Sequence, residues 1–384
     1  MSNRIAAEVF APGEFISEEL EARGWSQVEL ADVLGRPAKL VSELIAGKRA
    51  ITPETAKGLG AAFGTGAEFW MNLERDYRLA HAVHDDATVE RRARLYAKAP
   101  VKEMLNRHWI EPSDNVEVLE NRVMKFLRIK DMREEPWQAH AAKKGTPYGD
   151  VTSAQWAWLF RVLQIAGGVS VPPYSETALR HALPRLEALL LAPEEARHVP
   201  RILMECGVRF VIVEKLQQAK IDGMCSWIDS KSPVIGMSTR RDKIDNFWFV
   251  LRHEIEHVLR GDGKDQTAII DADLEGKKAG TDPSLPEEER IANTAAASFC
   301  VPTEKLVGFM RRKHPFYYEK DVAAFAKTVN RHPGLVIGQM QFRLDDYKYL
   351  ARRLSLAKVR QFVLPGAIAD GWDQAASITT RRAL

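Results

Sequence analysis

Residues 247–262 read FWFVLRHEIEHVLRGD, with His253-Glu254-Ile255-Glu256-His257 at their centre. The run predicts a long helix, and on a helix positions i and i+4 share one face, so both imidazoles can reach one cation. Glu254, beside the first histidine, is placed to act as general base on a water bound to that cation. From the chain's own His and Glu frequencies the pattern should arise by chance roughly 0.02 times, few enough to treat it as a site. The competing reading is an amphipathic helix with two histidines on its wet face. Hydrolytic zinc takes three protein ligands and keeps one position open for water. The segment LPEEERIANTAAASFCVP (285–302) predicts another helix and offers Glu287, Glu288 and Glu289. Glu289 and Asn293 stand one turn apart, so a carboxylate ligand and a polar supporting group would share a face. Acids also suit a helix N-terminus, which accounts for the three glutamates and leaves Asn293 unexplained. Zinc (Zn2+) there would bring the pKa of its water towards about 7 and polarise a scissile carbonyl.

Upstream of this helix the texture is that of strands. GVRFVIVEKL (207–216) is β-branched and apolar, as in a buried strand, and IDGMCSWID and SPVIGMS predict two more. A polar loop with Gly276, Gly280 and Pro283 separates the two helices of the metal site. Residues 81–200 are mostly helical by pattern and cut by breakers at Pro100, Pro112, Pro136, Gly145-Thr146-Pro147, Gly167-Gly168 and Pro172-Pro173. The first eighty residues predict five short helices. Gly24 stops the first, Ser26 with Glu29 forms a capping box for the second, and Thr52-Pro53 opens the fourth. The expected division is 1–80, all-α; 81–200, a helical linker or middle segment; and 201–384, an α+β zincin-like domain with a small sheet against the site helices.

Residues 24–50, GWSQVELADVLGRPAKLVSELIAGKRA, carry helix–turn–helix logic. Ser26 and Gln27 begin the first helix, where backbone amides and an amide side chain can grip a phosphate. Gly35-Arg36 makes the turn, and the recognition helix presents Lys39 and Ser42. Lys48 and Arg49 follow, suited to neutralising backbone charge. Segment 1–80 is acidic, with nine Lys/Arg against twelve Asp/Glu, yet five of the nine bases fall within residues 36–57. The competing reading is a plain helical bundle for protein contacts.

The whole chain has 384 residues, 45% hydrophobic and 28% charged, which excludes wholesale disorder. Its net charge is +3, so any nucleic-acid footprint must be local. No stretch approaches the roughly 18 apolar residues of a membrane span, and MSNRIAAEVFAPGEF lacks the apolar core of a secretory signal. Cys206, Cys225 and Cys300 are too few for a disulfide framework and read as reduced thiols, so the expectation is a cytoplasmic protein. Cys225 could also mask a zinc ion as thiolate, although a small buried hydrophobe is the plainer reading. The tryptophans read as core. The basic run Arg91-Arg92-Ala93-Arg94 reads as a solvated helix face, with extension of a phosphate-binding surface as its alternative.

IDNFWFVLRHEIEHVL, EEERIANTAAASFCVP and HPGLVIGQMQ (332–341) together resemble the ImmA/IrrE family of metallo-endopeptidases. That resemblance implies His253, His257 and Glu289 as zinc ligands and Glu254 as base. It also implies a protein substrate, a repressor or antitoxin-like partner. The chain departs from the family pattern in carrying Glu256 where a small residue is usual. Residues 12–80, with Ile51-Thr52-Pro53-Glu54 and Phe69-Trp70-Met71-Asn72-Leu73, resemble the HigA-type antitoxin branch of the Xre helix–turn–helix family. This second resemblance implies a homodimer on a palindromic double-stranded operator, and a toxin as a candidate partner. The expected function is a DNA-binding regulator carrying a zinc-dependent endopeptidase. The alternative is a non-catalytic antitoxin-like repressor whose peptidase-like domain senses a ligand, metal or partner.

Overall fold

Caps and glycines set the boundaries of the five N-terminal helices. Helix α1 (Pro12–Arg23) stops at Gly24, whose φ of 66° is left-handed and suits glycine. Helix α2 (Gln27–Leu34) starts from Ser26, whose side chain accepts from the Glu29 amide while Glu29 accepts from the Ser26 amide. It ends at Gly35, also left-handed. Helix α3 (Ala38–Ile45) follows Pro37, α4 (Pro53–Phe63) is capped by Thr52, and α5 is Ala67–His81. Ile16, Leu30, Val41, Leu59 and Trp70 have no exposed surface and form the centre of this core. Burial of such a Leu or Ile side chain contributes about 1.5–3 kcal/mol.

The computed structural model describes residues 9–82, 86–134, 143–144, 151–264, 269–272 and 285–372. Pro136, Gly145-Thr146-Pro147, Gly276, Gly280 and Pro283 lie outside them. By its contacts the chain divides into two units, 1–87 and 88–384.

The boundary falls in the first turn of α6 (Asp86–Lys98), and the second unit continues with α7 (Val101–Asn106) and α8 (Val116–Leu127). A two-residue strand β1 (Lys143–Lys144) comes next, then α9 (Ser153–Gly167), α10 (Glu176–Ala188) and α11 (Val199–Glu205). Strands β2 (Arg209–Val213), β3 (Ile221–Trp227) and β4 (Pro233–Met237) lead into α12 (Ile244–Arg260). Strand β5 (Ile269–Ala272) precedes α13 (Glu287–Cys300), α14 (Thr303–Lys313), α15 (Glu319–Thr328) and α16 (Pro333–Leu344). Short helices α17 (Ala351–Ser355) and α18 (Arg360–Val363) and strand β6 (Ile368–Asp370) follow. The strands form one mixed sheet in the order β1-β5-β3-β4-β2-β6. Strand β3 runs antiparallel to both of its neighbours, whereas β2 pairs in parallel with β4 and β6.

Both faces of this sheet are covered. Along β2, Phe210 and Ile212 enter a core with α10–α16, while Val211 and Val213 enter another with α6–α9. That is the period-2 alternation of a strand buried on both sides. Residues 88–200 are therefore more than a joining segment, because they supply one entire helical layer of the sheet. Trp158 Nε1 donates to the Val213 carbonyl at 3.0 Å, and Arg107 donates to the carbonyls of Glu214 and Lys215 at 2.7 and 2.6 Å. Arg161 of α9 forms a buried ion pair with Asp370 of β6. The three strands expected between 207 and 238 are present, and β1, β5 and β6 add to them. These three are only two to four residues long, too short to show a periodicity.

Candidate metal centre

Helix α12 is buried almost all round, and its exit is fixed by Gly261 in the left-handed conformation. Helix α13 packs along it. Of the three consecutive glutamates only Glu289 is turned inward (2% exposed), with Ala292, Asn293 and Ala296 buried on the same side. His253, His257 and Glu289 converge, each offering a ligand atom within 4.8 Å of the others. The two Nε2 atoms are 3.0 Å apart; Glu289 oxygens lie 3.3 Å from His253 Nε2 and 3.4 Å from His257 Nε2.

A residue that spacing did not reveal completes the arrangement. Asp262 Oδ2 lies 2.9 Å from His257 Nδ1, and the contact assigns that nitrogen the proton, leaving the Nε2 lone pair facing the cluster. Asp262 is itself anchored, its amide donating to the His257 carbonyl at 2.9 Å and its carbonyl accepting from Trp227 Nε1 at 2.8 Å. Cys225 Sγ touches the same carbonyl at 3.8 Å and is not one of the three converging residues. Asn293 Oδ1 is buried with no hydrogen-bond partner among the described residues. Two imidazoles, one carboxylate, a carboxylate behind one imidazole and a bare amide oxygen form a donor set that fits a zinc-type cation.

Glu254 is fully buried, and its carboxylate lies over Gly223 of β3. A Cβ at position 223 would sit 2.2 Å from Glu254 Oε1 and 2.7 Å from Val250 Cγ1, so any side chain there would have to displace them. Spacing did not single out Gly223; the signal that could have found it is a glycine inside a strand, a sign of close approach. Glu256 is paired with Arg252 at 2.7 Å along the helix, so the charge it adds is balanced locally. Burial pushes the Tyr174 hydroxyl up to about 12, with Glu176 adding to the shift, so this ring beside Trp227 stays neutral. Burial also raises Cys300, leaving a protonated, unreactive thiol. His332 caps α16 by accepting from the Gly334 amide at 3.0 Å, and Tyr318 is exposed.

In the N-terminal unit Ser26, Gln27, Arg36, Lys39, Ser42, Lys48 and Arg49 are all exposed. Ser26 is committed to its capping box, donating its amide to Glu29 at 2.7 Å. That bond holds the Glu29 carboxyl below its usual range. Glu43 of α3 reaches Lys39 at 3.9 Å and Arg49 at 3.4 Å, so a carboxylate stands among the basic groups.

Comparison with known proteins finds matches in two stretches of the chain. Residues 16–70 match the family model described as Helix-turn-helix, and residues 207–344 match an M78 peptidase model described as IrrE N-terminal-like domain. The uncharacterized HTH-type transcriptional regulator YddM of Escherichia coli K12 is 35% identical over 71 residues, 18% of this chain and 76% of that protein. Virulence-associated protein I of Dichelobacter nodosus is 34% identical over 79 residues, 20% of this chain and 73% of that protein. Among solved structures, a HigA-family addiction module antidote protein from Coxiella burnetii is 38% identical, covering 19% of this chain and 79% of that one, with a TM-score of 0.18. The chain belongs to the Xre-type helix–turn–helix family and carries an IrrE-like peptidase-family domain at its C-terminal end. Among the described residues no helix is long and apolar enough to cross a membrane.

Proposed function

We propose that the chain is a cytoplasmic transcriptional regulator that binds operator DNA as a homodimer and carries a zinc-dependent endopeptidase directed at a repressor or another partner protein. The convergence of buried His253, His257 and Glu289 beside the buried Glu254 supports the catalytic part. Buried charged groups are either paired with one another or coordinate a metal, and the shared focus of these three favours the second. In this reading His253, His257 and Glu289 hold the ion, and Asn293 supports the site from behind. When bound, zinc supplies Lewis acidity towards the scissile carbonyl and the attacking water. Glu254 accepts the proton of that water and returns it to the departing amine. Asp262 fixes the ring and tautomer of His257. A toxin partner follows only from the antitoxin-like character of the head.

The test is Glu254→Gln, which preserves shape and removes the base. Cleavage of co-expressed repressor proteins should fall by about 10²–10⁴-fold, the contribution of a positioned proton-transfer group. Zinc content and operator affinity should not change. Identical behaviour of the two proteins in every cleavage and induction assay would replace catalysis by ligand or metal sensing.

A further inference from the structure

The strand that walls in Glu254 is irregular. On β3, Ile221 stands opposite Ala272 of β5 and Gly223 opposite Asp271, so Asp222 between them is the extra residue of a β-bulge. The bulge changes which face each later side chain takes. Met224 enters the core with α6–α9, whereas Cys225 and Trp227 enter the core that contains α12. Ile221 shares the Met224 core, although strict alternation would set residues three apart on opposite faces. Had the alternation run on unbroken from Ile221, Asp222 would be turned to α12, and a second carboxylate would stand against the base. With the bulge, Gly223 meets Glu254 instead. Segment 238–240, between β4 and α12, holds the bulge in place. The Ser238 amide donates to the Asp222 carbonyl at 3.1 Å, and Ser238 Oγ donates to the Ile221 carbonyl at 2.5 Å. Ser238 Oγ also accepts from the Arg240 amide at 3.3 Å. The buried Asp222 carboxylate takes the Arg240 guanidinium two-pronged, Nε at 2.6 Å and Nη2 at 2.9 Å. A pair of this kind fixes direction as well as charge. Thr239, between these two anchors, has a φ of 42°, a left-handed conformation that a β-branched residue rarely adopts. Arg360 of α18 secures it, donating from Nη2 to the Thr239 carbonyl at 2.6 Å. Such strain persists where the surroundings over-determine it, commonly beside functional sites.

We propose that Asp222 and Arg240 are positioning residues for Glu254: their two-pronged pair locks the bulge in β3, and the bulge presents Gly223 to the base. The proposal rests on the reading of Glu254 as the base. A pair that only stabilised the fold would need opposite charges in contact. A pair that sets the position of a strand needs the fork of the guanidinium as well, and the two cases separate by experiment.

Arg240→Lys keeps the charge and removes the fork. The full, zinc-loaded chain is read by methyl NMR at Val250, which packs on Gly223 from α12, with Ile16 of the N-terminal unit as control. The Val250 signals should shift and the Ile16 signal should not. Zinc content should stay the same. Cleavage of repressor proteins should show kcat lowered by about 10²-fold, the effect of misplacing a reacting group by about 1 Å, with KM unchanged. Asp222→Asn/Arg240→Gln leaves no charge stranded, covers the case in which the single variant does not fold, and should move the same signals. Val250 signals unmoved in both variants would overturn the proposal. So would a lower unfolding midpoint with kcat unchanged, which would reduce the pair to a stabilising contact. Shifted Val250 signals in a chain whose wild type cleaves nothing would support the lock on β3 and remove the catalytic reading alone, so the two failures are told apart.

Discussion

Glu254 and Gly223 are in contact across α12 and β3, with no space for even a methyl group between the carboxylate and the strand. The strand therefore acts as a wall that fixes where the candidate base stands, and the wall works because position 223 has no side chain.

Gly223→Ala should displace the Glu254 carboxylate without touching a ligand. Overpacking of this kind costs about 1–3 kcal/mol of stability. Misplacement of a reacting group by about 1 Å can lower turnover by about 10²-fold. The expected outcome is a folded, zinc-loaded protein with strongly reduced cleavage. Metal analysis beside a cleavage assay reads both, and unimpaired turnover would show that β3 does not position the base.

Asp262→Asn keeps the size of the side chain but removes the charge behind His257. Loss of such a supporting group should weaken zinc by about 10–100-fold. Competition with a chromogenic chelator measures it. Unchanged affinity would reduce the 2.9 Å contact to a local helix-end bond.

The 81–200 segment makes a prediction about folding. A fragment of residues 201–384 would leave Val211, Val213, Met224 and Val234 without the helical layer that covers them, and Arg161 would no longer meet Asp370. The fragment should not fold cooperatively. In the full chain, Arg161→Met should lose about 3–5 kcal/mol, because it strands a buried carboxylate. Denaturant unfolding checks both, and an independently stable fragment would make 81–200 a true linker.

How much of this was readable in the chain follows from the range of each signal. Local signals were legible: Ser26 with Glu29, Gly24, Thr52-Pro53 and the i, i+4 histidines each act within about one helical turn. Glu289 was legible because its helix places Asn293 on the same side. Asp262 was not, since it lies beyond the left-handed Gly261, where helical spacing no longer says which way a side chain faces. The pairing of Arg161 with Asp370 joins residues 209 positions apart, and no periodicity records it. The same holds for the sheet's second helical cover. The doubly buried β2 did give a hint, as its unbroken apolar run demands cover on both faces.

The last prediction concerns the helix–turn–helix, where Glu43 sits between Lys39 and Arg49. A carboxylate there repels phosphate and draws on two cations that would otherwise face DNA. Lys48→Ala should weaken binding across all sequences and flatten the salt slope by about one. Glu43→Gln should do the reverse, strengthening binding to unrelated duplexes and steepening the slope. Operator preference should narrow, because nonspecific affinity rises while base contacts stay the same. Lys39→Ala or Ser42→Ala should instead change which operator is preferred, on a two-fold site with half-sites about 10 bp apart. Salt-dependent binding to operator and random duplexes distinguishes these outcomes. If Glu43→Gln and Lys48→Ala both leave the slope unchanged, α3 and the turn after it do not face DNA, and the interface lies elsewhere on the unit.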